Sequence, residues 1–140
     1  QASFFMLFNL FGGLAADGRR RHVLLPQAPE YIGYTQSGFD DGLLRACRSA
    51  IELVGEDRFR YHIDFDALRI DDDVAALCIS RPSNPTGKLA TDAEMTRLAE
   101  LAAACDLPLI VDGAYGLPFP GITFDEASVR YDARTVLCLS

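Results

Sequence analysis

The sequence predicts an α/β fold in which helices cover both faces of a mostly parallel β-sheet. This prediction rests on four apolar runs, each about the length of a strand: 22–26, 74–80, 107–112 and 135–140. The runs are apolar throughout rather than alternating, which is typical of strands buried on both faces of a parallel sheet. A helical pattern lies between the second and third runs. Strand, turn, helix and strand therefore follow one another as in a βαβ unit.

The clearest helix begins after Thr91. Thr91 and Glu94 have the spacing of a capping box, in which each side chain satisfies an amide at the start of the helix. Apolar residues then recur at helical spacing. The remaining patterns predict a helix at 2–11, a helix or turn at 33–37, and an alternating, half-exposed strand at 58–68.

Composition excludes several classes of function. The net charge of −7 argues against nucleic acid or an anionic membrane as partner. No apolar run approaches the ~18 residues of a membrane span. The four cysteines form no C-x-x-C pair, so we expect a reducing, cytoplasmic environment with neither a disulfide framework nor a metal site.

Both ends of the sequence lie inside predicted elements. The first residues belong to an apolar helical pattern without a capping residue before it, and the last belong to an apolar run. We therefore expect residues 1–140 to be an internal part of a longer protein.

Polar side chains follow the predicted strands at 26–31, 81–87 and 112–115, and at Ser140. Open α/β sheets bind ligands beyond the carboxyl ends of their strands, so these side chains are expected to share one edge. There is no G-x-G-x-x-G or P-loop motif to indicate a nucleotide. No Ser-His-Asp or Cys-His arrangement is visible, and we interpret His22 and His62 as structural residues.

An aromatic ring, an amide, a carboxylate and a phenol together suit pyridoxal 5'-phosphate (PLP). Its chemistry requires a protonated pyridine nitrogen, which a buried carboxylate maintains through a charge-assisted hydrogen bond. Amide and phenol groups can stabilise its ring oxygen, and an aromatic side chain can stack on its face. Taken singly, each of these residues is more typical of a turn, a strand end, or a core or rim position.

The motifs themselves resemble a known family. "SNPTG" at 83–87, "DGAYG" at 112–116 and a final strand ending in serine resemble the class I/II aminotransferases among the fold-type I PLP enzymes. "FNLFGG", "APEYIGY", "YHIDFDAL" and "AYGLPFPGI" extend the likeness along the whole chain. The resemblance implies that residues 1–140 form the central part of the large PLP-binding domain, without the small domain.

The resemblance also implies roles for individual residues. Tyr31 would stack on the cofactor ring, and Asp112 would pair with the pyridine nitrogen. Asn84 and Tyr115 would hydrogen-bond the ring oxygen. Ser140 would contact the phosphate.

The resemblance also bears on the cofactor phosphate and on the lysine that binds the cofactor covalently. Gln1 is interpreted as the tail of the turn that grips the phosphate at a helix start. The Schiff-base lysine would follow three residues after Ser140, so no catalytic residue is expected within 1–140 and this segment alone should be inactive. Lys88 is interpreted as a solvated side chain. Neither Arg81, Arg97 nor Arg130 matches the arginine that binds the substrate carboxylate.

The resemblance implies transamination between valine or alanine and a 2-oxo acid such as pyruvate, in a homodimer. Two alternatives stay open at this point. One is another fold-type I PLP enzyme, a β-lyase or a decarboxylase. The other is an aminotransferase-like sensor domain of a transcriptional regulator.

Overall fold

The computed structural model describes residues 1–115, 127–129 and 131–139. Two α-helices cover Ala2–Phe11 (α1) and Asp92–Ala104 (α2), and a short 3-10 helix covers Ile32–Gln36. The described strands are Gly13–Leu14 (β1), Arg20–Leu25 (β2), Leu44–Ala46 (β3), Ala50–Leu53 (β4), Phe59–His62 (β5), Val74–Ser80 (β6), Leu109–Asp112 (β7) and Thr135–Cys138 (β8).

Six of the described strands form the main sheet, which is mostly parallel, as predicted. The order is β1-β2-β6-β7-β8, and β3 also pairs with β2. Strand β1 runs antiparallel to β2, whereas the pairs β2–β3, β2–β6, β6–β7 and β7–β8 are parallel. Strands β4 and β5 form a separate antiparallel hairpin.

Helices cover both faces of this sheet, which confirms the predicted layers. Successive residues of β6 point to opposite faces because the side-chain period of a strand is two. Leu77 packs in one apolar cluster with α2, and Cys78 packs in a second cluster with Phe4 and Phe8 of α1. The chain thus buries two cores around one sheet.

Helix α2 begins as the sequence predicts. The Thr91 side chain accepts from the Glu94 amide, and the Glu94 carboxylate accepts from the Thr91 amide. The predicted strand at 58–68 is shorter in the structure, because only Phe59–His62 pairs with β4. Among the described residues, no helix has the combination of length and apolar character that a membrane crossing requires.

Candidate functional site

A cavity of about 280 Å³ opens at the carboxyl edge of the sheet. Four of the five predicted cofactor contacts line it: Tyr31, Asn84, Asp112 and Tyr115. The fifth, Ser140, lies outside the described residues. The structure therefore brings together side chains that are up to 84 positions apart in the sequence, because parallel strands end at the same edge.

Asp112 is the carboxylate of this cavity. It is the last residue of β7, opposite Ser80 of β6 and Cys138 of β8, and it is 9% exposed. Its Oδ2 accepts a hydrogen bond from the Tyr34 hydroxyl at 2.6 Å, and its Oδ1 accepts from the Ala114 amide at 3.1 Å. An ionised carboxylate has about four acceptor sites, so these two bonds leave capacity for a ligand cation.

Tyr34 is a residue of the candidate site that was not predicted from the sequence. Its ring is buried against Phe4 and Phe8 of α1. Burial, together with the nearby carboxylates, raises the pKa of the Tyr34 phenol far above its ordinary value. The phenol therefore stays protonated and remains a hydrogen-bond donor to Asp112. Its position three residues after Tyr31 was the available signal, since a short helical turn puts such residues on one side.

The Tyr31 ring is held by its neighbours. It meets the Tyr34 ring edge-on, with 5.4 Å between the centroids and 90° between the planes. It also lies directly on the backbone of Gly33, where an added Cβ would come within 2.5 Å of Tyr31 Cζ. An alanine at position 33 would therefore displace the Tyr31 ring from this position.

Asn84 lies in a tight turn after β6. The Ser83 amide donates to the Lys88 carbonyl and the Gly87 amide donates to the Ser83 carbonyl, both at 2.8 Å. Gly87 has a φ of +68°, a conformation that favours glycine. Within the described part of the chain, the Asn84 side chain has no hydrogen-bond partner, so its amide is available to a ligand.

Arg81 connects this turn to neighbouring elements through hydrogen bonds. Its Nε donates to the Ala90 carbonyl at 2.8 Å and its Nη1 to the Ser128 carbonyl at 2.7 Å, while Nη2 pairs with Asp92. The guanidinium is almost fully buried by these contacts. Arg81 therefore ties the turn to the start of α2 and is not free to bind a substrate carboxylate.

The start of α1 faces the same cavity. Gln1, Ser3 and Phe4 are among its lining residues, and the cap residue Gln1 makes no side-chain hydrogen bond to the helix. The first turn also contains no acidic residue. The first turn of a helix presents backbone amides and a partial positive charge, which together suit an anion such as phosphate.

The interpretation of Lys88 as a solvated side chain is wrong. Its Nζ lies 2.7 Å from Glu94 Oε1, and the two side chains are only 9% and 11% exposed. The capping-box glutamate thus serves the turn as well as the helix. Sequence spacing did not reveal this pair because Lys88 precedes the helix and reaches it only once the turn has folded back.

A larger cavity of about 860 Å³ adjoins the first one. It lies between the β4–β5 hairpin and the turn, and it shares Pro82, Asn84 and Tyr115 with the smaller cavity. The buried Ser83 hydroxyl, which lines it, has no hydrogen-bond partner among the described residues. The two cavities together give Asn84 and Tyr115 access to a ligand larger than the smaller cavity alone would hold.

Known proteins resemble the chain over its full length. The family model described as Aminotransferase class I and II matches residues 42–136. The valine–pyruvate aminotransferase of Escherichia coli (strain K12) is 49% identical over 140 residues, which are 34% of that protein. A crystal structure of valine-pyruvate aminotransferase from Salmonella typhimurium LT2 is 46% identical, with a TM-score of 0.86 over 99% of this chain and 33% of that one. A solved structure from Psychrobacter arcticum 273-4 is 42% identical, with a TM-score of 0.91 over 99% of this chain and 34% of that one.

Proposed function

Because the chain belongs to the class I and II aminotransferase family, we propose that the full-length protein transfers an amino group between valine or alanine and a 2-oxo acid such as pyruvate. The chain spans about a third of the length of the relatives it matches, so this activity is proposed for the whole protein. The observation that carries the proposal is the convergence of Tyr31, Asn84, Asp112 and Tyr115 on one cavity beside the first turn of α1.

The proposed cofactor is PLP, on which class I and II aminotransferases depend. The described residues fit it chemically. The first turn of α1 supplies backbone amides for a phosphate, and Asp112 supplies a carboxylate with spare acceptor sites for a ring N–H. Asn84 and Tyr115 line the same cavity with side chains that have no hydrogen-bond partner among the described residues.

When bound, PLP supplies an electron sink for the bond broken at the substrate α-carbon. Asp112 would hold a proton on the ring nitrogen, and the Tyr34 hydroxyl fixes the orientation of that carboxylate. Asn84 and Tyr115 would donate hydrogen bonds to the ring oxygen. Tyr31 would pack against the ring and exclude water from one face. The lysine and arginine required for proton transfer and substrate binding are proposed to lie outside residues 1–140.

We propose further that residues 1–140 are the central part of a large cofactor-binding domain in a homodimer, and that the protein works in a reducing cytoplasm. All four cysteines are free thiols, in agreement with such a compartment. Met6 and Leu10 of α1 expose apolar side chains that a second subunit would cover. Light scattering of the purified full-length protein tests the dimer.

The proposed activity is tested with the full-length protein, L-valine and pyruvate, by measuring formation of alanine. In Asp112→Ala, kcat/KM for this reaction should fall by roughly 100-fold or more, the scale of losing a charge-stabilising group in an active site. Asp106→Asn is the matched control, since the Asp106 side chain is exposed and pairs with Arg134 on the surface, and asparagine tolerates the φ of +57° at this position. It should retain full activity.

Assays with other substrates separate the alternative reactions. A protein that binds PLP but converts a cysteine thioether to a thiol, pyruvate and ammonia would be a β-lyase, and one that releases carbon dioxide from an amino acid and leaves the amine would be a decarboxylase. Equal activity in Asp112→Ala and the wild type would contradict the assignment of Asp112.

A further inference from the structure

A second carboxylate approaches the cavity without lining it. Glu30 precedes Tyr31 and is partly buried. Its Oε1 accepts from Gln27 Nε2 at 3.0 Å and from the Ser80 amide at 3.2 Å, and its Oε2 accepts from the Ser80 hydroxyl. The proposed reaction uses none of these groups directly.

The environment of Glu30 is costly for a carboxylate. Burial raises the pKa of Glu30 above its ordinary value, although the donors from Ser80 and Gln27 act in the opposite direction. Burying a carboxylate costs free energy, which its hydrogen bonds to Ser80 and Gln27 offset. These contacts also join two cavity walls, because Tyr31 and Ser80 both line the cavity.

The position of Tyr31 depends on this join. Ser80 is the last residue of β6 and lies in register with Asp112, so its place in the sheet is fixed. The Glu30 side chain fastens the loop after β2 to that point. Beyond it, the Tyr34 amide donates to the Tyr31 carbonyl at 3.1 Å and begins the 3-10 helix. Tyr31 is therefore located between one anchored residue and one helical turn.

We propose that Glu30 is a positioning residue, which fastens the loop carrying Tyr31 to the end of β6 and so sets the Tyr31 ring for stacking on the cofactor. This inference rests on the proposed function and deepens it. Glu30 acts through Tyr31 and makes no contact with the cofactor itself.

A double-mutant cycle on cofactor binding tests the proposal in the full-length protein. Glu30→Ala should raise the dissociation constant for PLP by about 2- to 10-fold, which corresponds to the loss of one aromatic contact. It should also reduce the visible circular dichroism of bound PLP, which depends on the ring's surroundings. In a Tyr31→Ala background, Glu30→Ala should have no further effect on either quantity.

Two additional variants make the cycle decisive. Asp73→Ala is the control, since Asp73 also joins separate elements, through Arg45 and His22, away from the cavity. It should leave PLP binding unchanged. Glu30→Gln, which keeps the shape of the side chain, enters the same cycle if Glu30→Ala does not fold.

The outcomes separate this inference from the proposed function. Non-additive losses in Glu30 and Tyr31 variants support the positioning role. Suppose that the wild type binds PLP and the Glu30 variants bind it with equal affinity, or that their losses in affinity add to those of Tyr31→Ala. Either result would overturn the positioning role of Glu30 and leave the proposed function intact. A wild-type protein that binds no PLP would overturn the proposed function and this inference with it.

Discussion

Replacement of Lys88 by methionine should destabilise the turn that holds Asn84. Lys88 Nζ is 2.7 Å from Glu94 Oε1, and both side chains are nearly buried. Glu94 additionally accepts hydrogen bonds from the amides of Thr91 and Ile63. Lys88→Met keeps the apolar stem of the side chain and removes only the charge that Glu94 faces.

The pKa of Glu94 gives the size of the expected loss in unfolding free energy. Burial alone would raise it, but the Lys88 ammonium and the amides of Thr91 and Ile63 outweigh burial and lower the pKa of Glu94 to about 2. A depression of that size corresponds to about 3 kcal/mol of folding free energy. Because the two amides remain in Lys88→Met, we expect a loss of about 2 kcal/mol, less than the ~3–5 kcal/mol of a buried pair broken without other donors.

Urea unfolding of the full-length protein at pH 7 measures this loss. Arg134→Met is the matched control, since it breaks the exposed pair with Asp106 and should cost less than about 1 kcal/mol. Glu94→Gln and the double variant complete a cycle that isolates the pair. Equal losses in Lys88→Met and Arg134→Met would refute the reasoning.

The pH dependence follows from the same pKa. Since the folded pKa of Glu94 is below its unfolded value, the contribution of Glu94 is complete above about pH 4.5 and is lost as the pH falls toward 2. The difference in unfolding free energy between the wild type and Glu94→Gln should be constant from pH 7 to about 5.5 and shrink below about 4.5. A difference that grows on acidification would show that the sign is wrong.

Two further predictions concern the cavity wall. Gly33→Ala should displace the Tyr31 ring and weaken PLP binding. Gly38→Ala is the control, since its Cβ would overlap the Leu43 side chain and should lower stability without affecting PLP binding. Titration of each variant with PLP distinguishes the two effects. Tyr34→Phe removes the donor to the buried Asp112 carboxylate and should lower the free energy of unfolding by about 1–3 kcal/mol, measured by urea; an unchanged midpoint would contradict this hydrogen bond.

The sequence predicted the parts of the fold that depend on local pattern. Uninterrupted apolar runs identified β2, β6, β7 and β8, because strands covered on both faces need apolar residues at every position. The capping box located the start of α2. Strands β1, β3 and β4 were not predicted, since they are only two to four residues long. Segments this short contain no apolar run or apolar–polar alternation that would identify a strand.

The candidate site was predictable for a topological reason. Once three strands are parallel neighbours, the residues after them must share an edge, whatever their distance in sequence. Asn84, Asp112 and Tyr115 meet for this reason. The contacts that hold them could not be predicted, because Tyr34 with Asp112 and Glu30 with Ser80 are separated by 78 and 50 positions and carry no motif.

The two carboxylates near the cavity show why orientation decides function here. Glu30 turns both oxygens toward Ser80 and Gln27, and its side chain does not line the cavity. Asp112 instead lines the cavity, with one protein donor on each oxygen and spare acceptor sites. A protonated ring nitrogen would therefore pair with Asp112 and not with Glu30. The Tyr34 hydroxyl contributes to this orientation: burial raises the pKa of the phenol, so it keeps its proton and donates it in the hydrogen bond to Asp112 Oδ2.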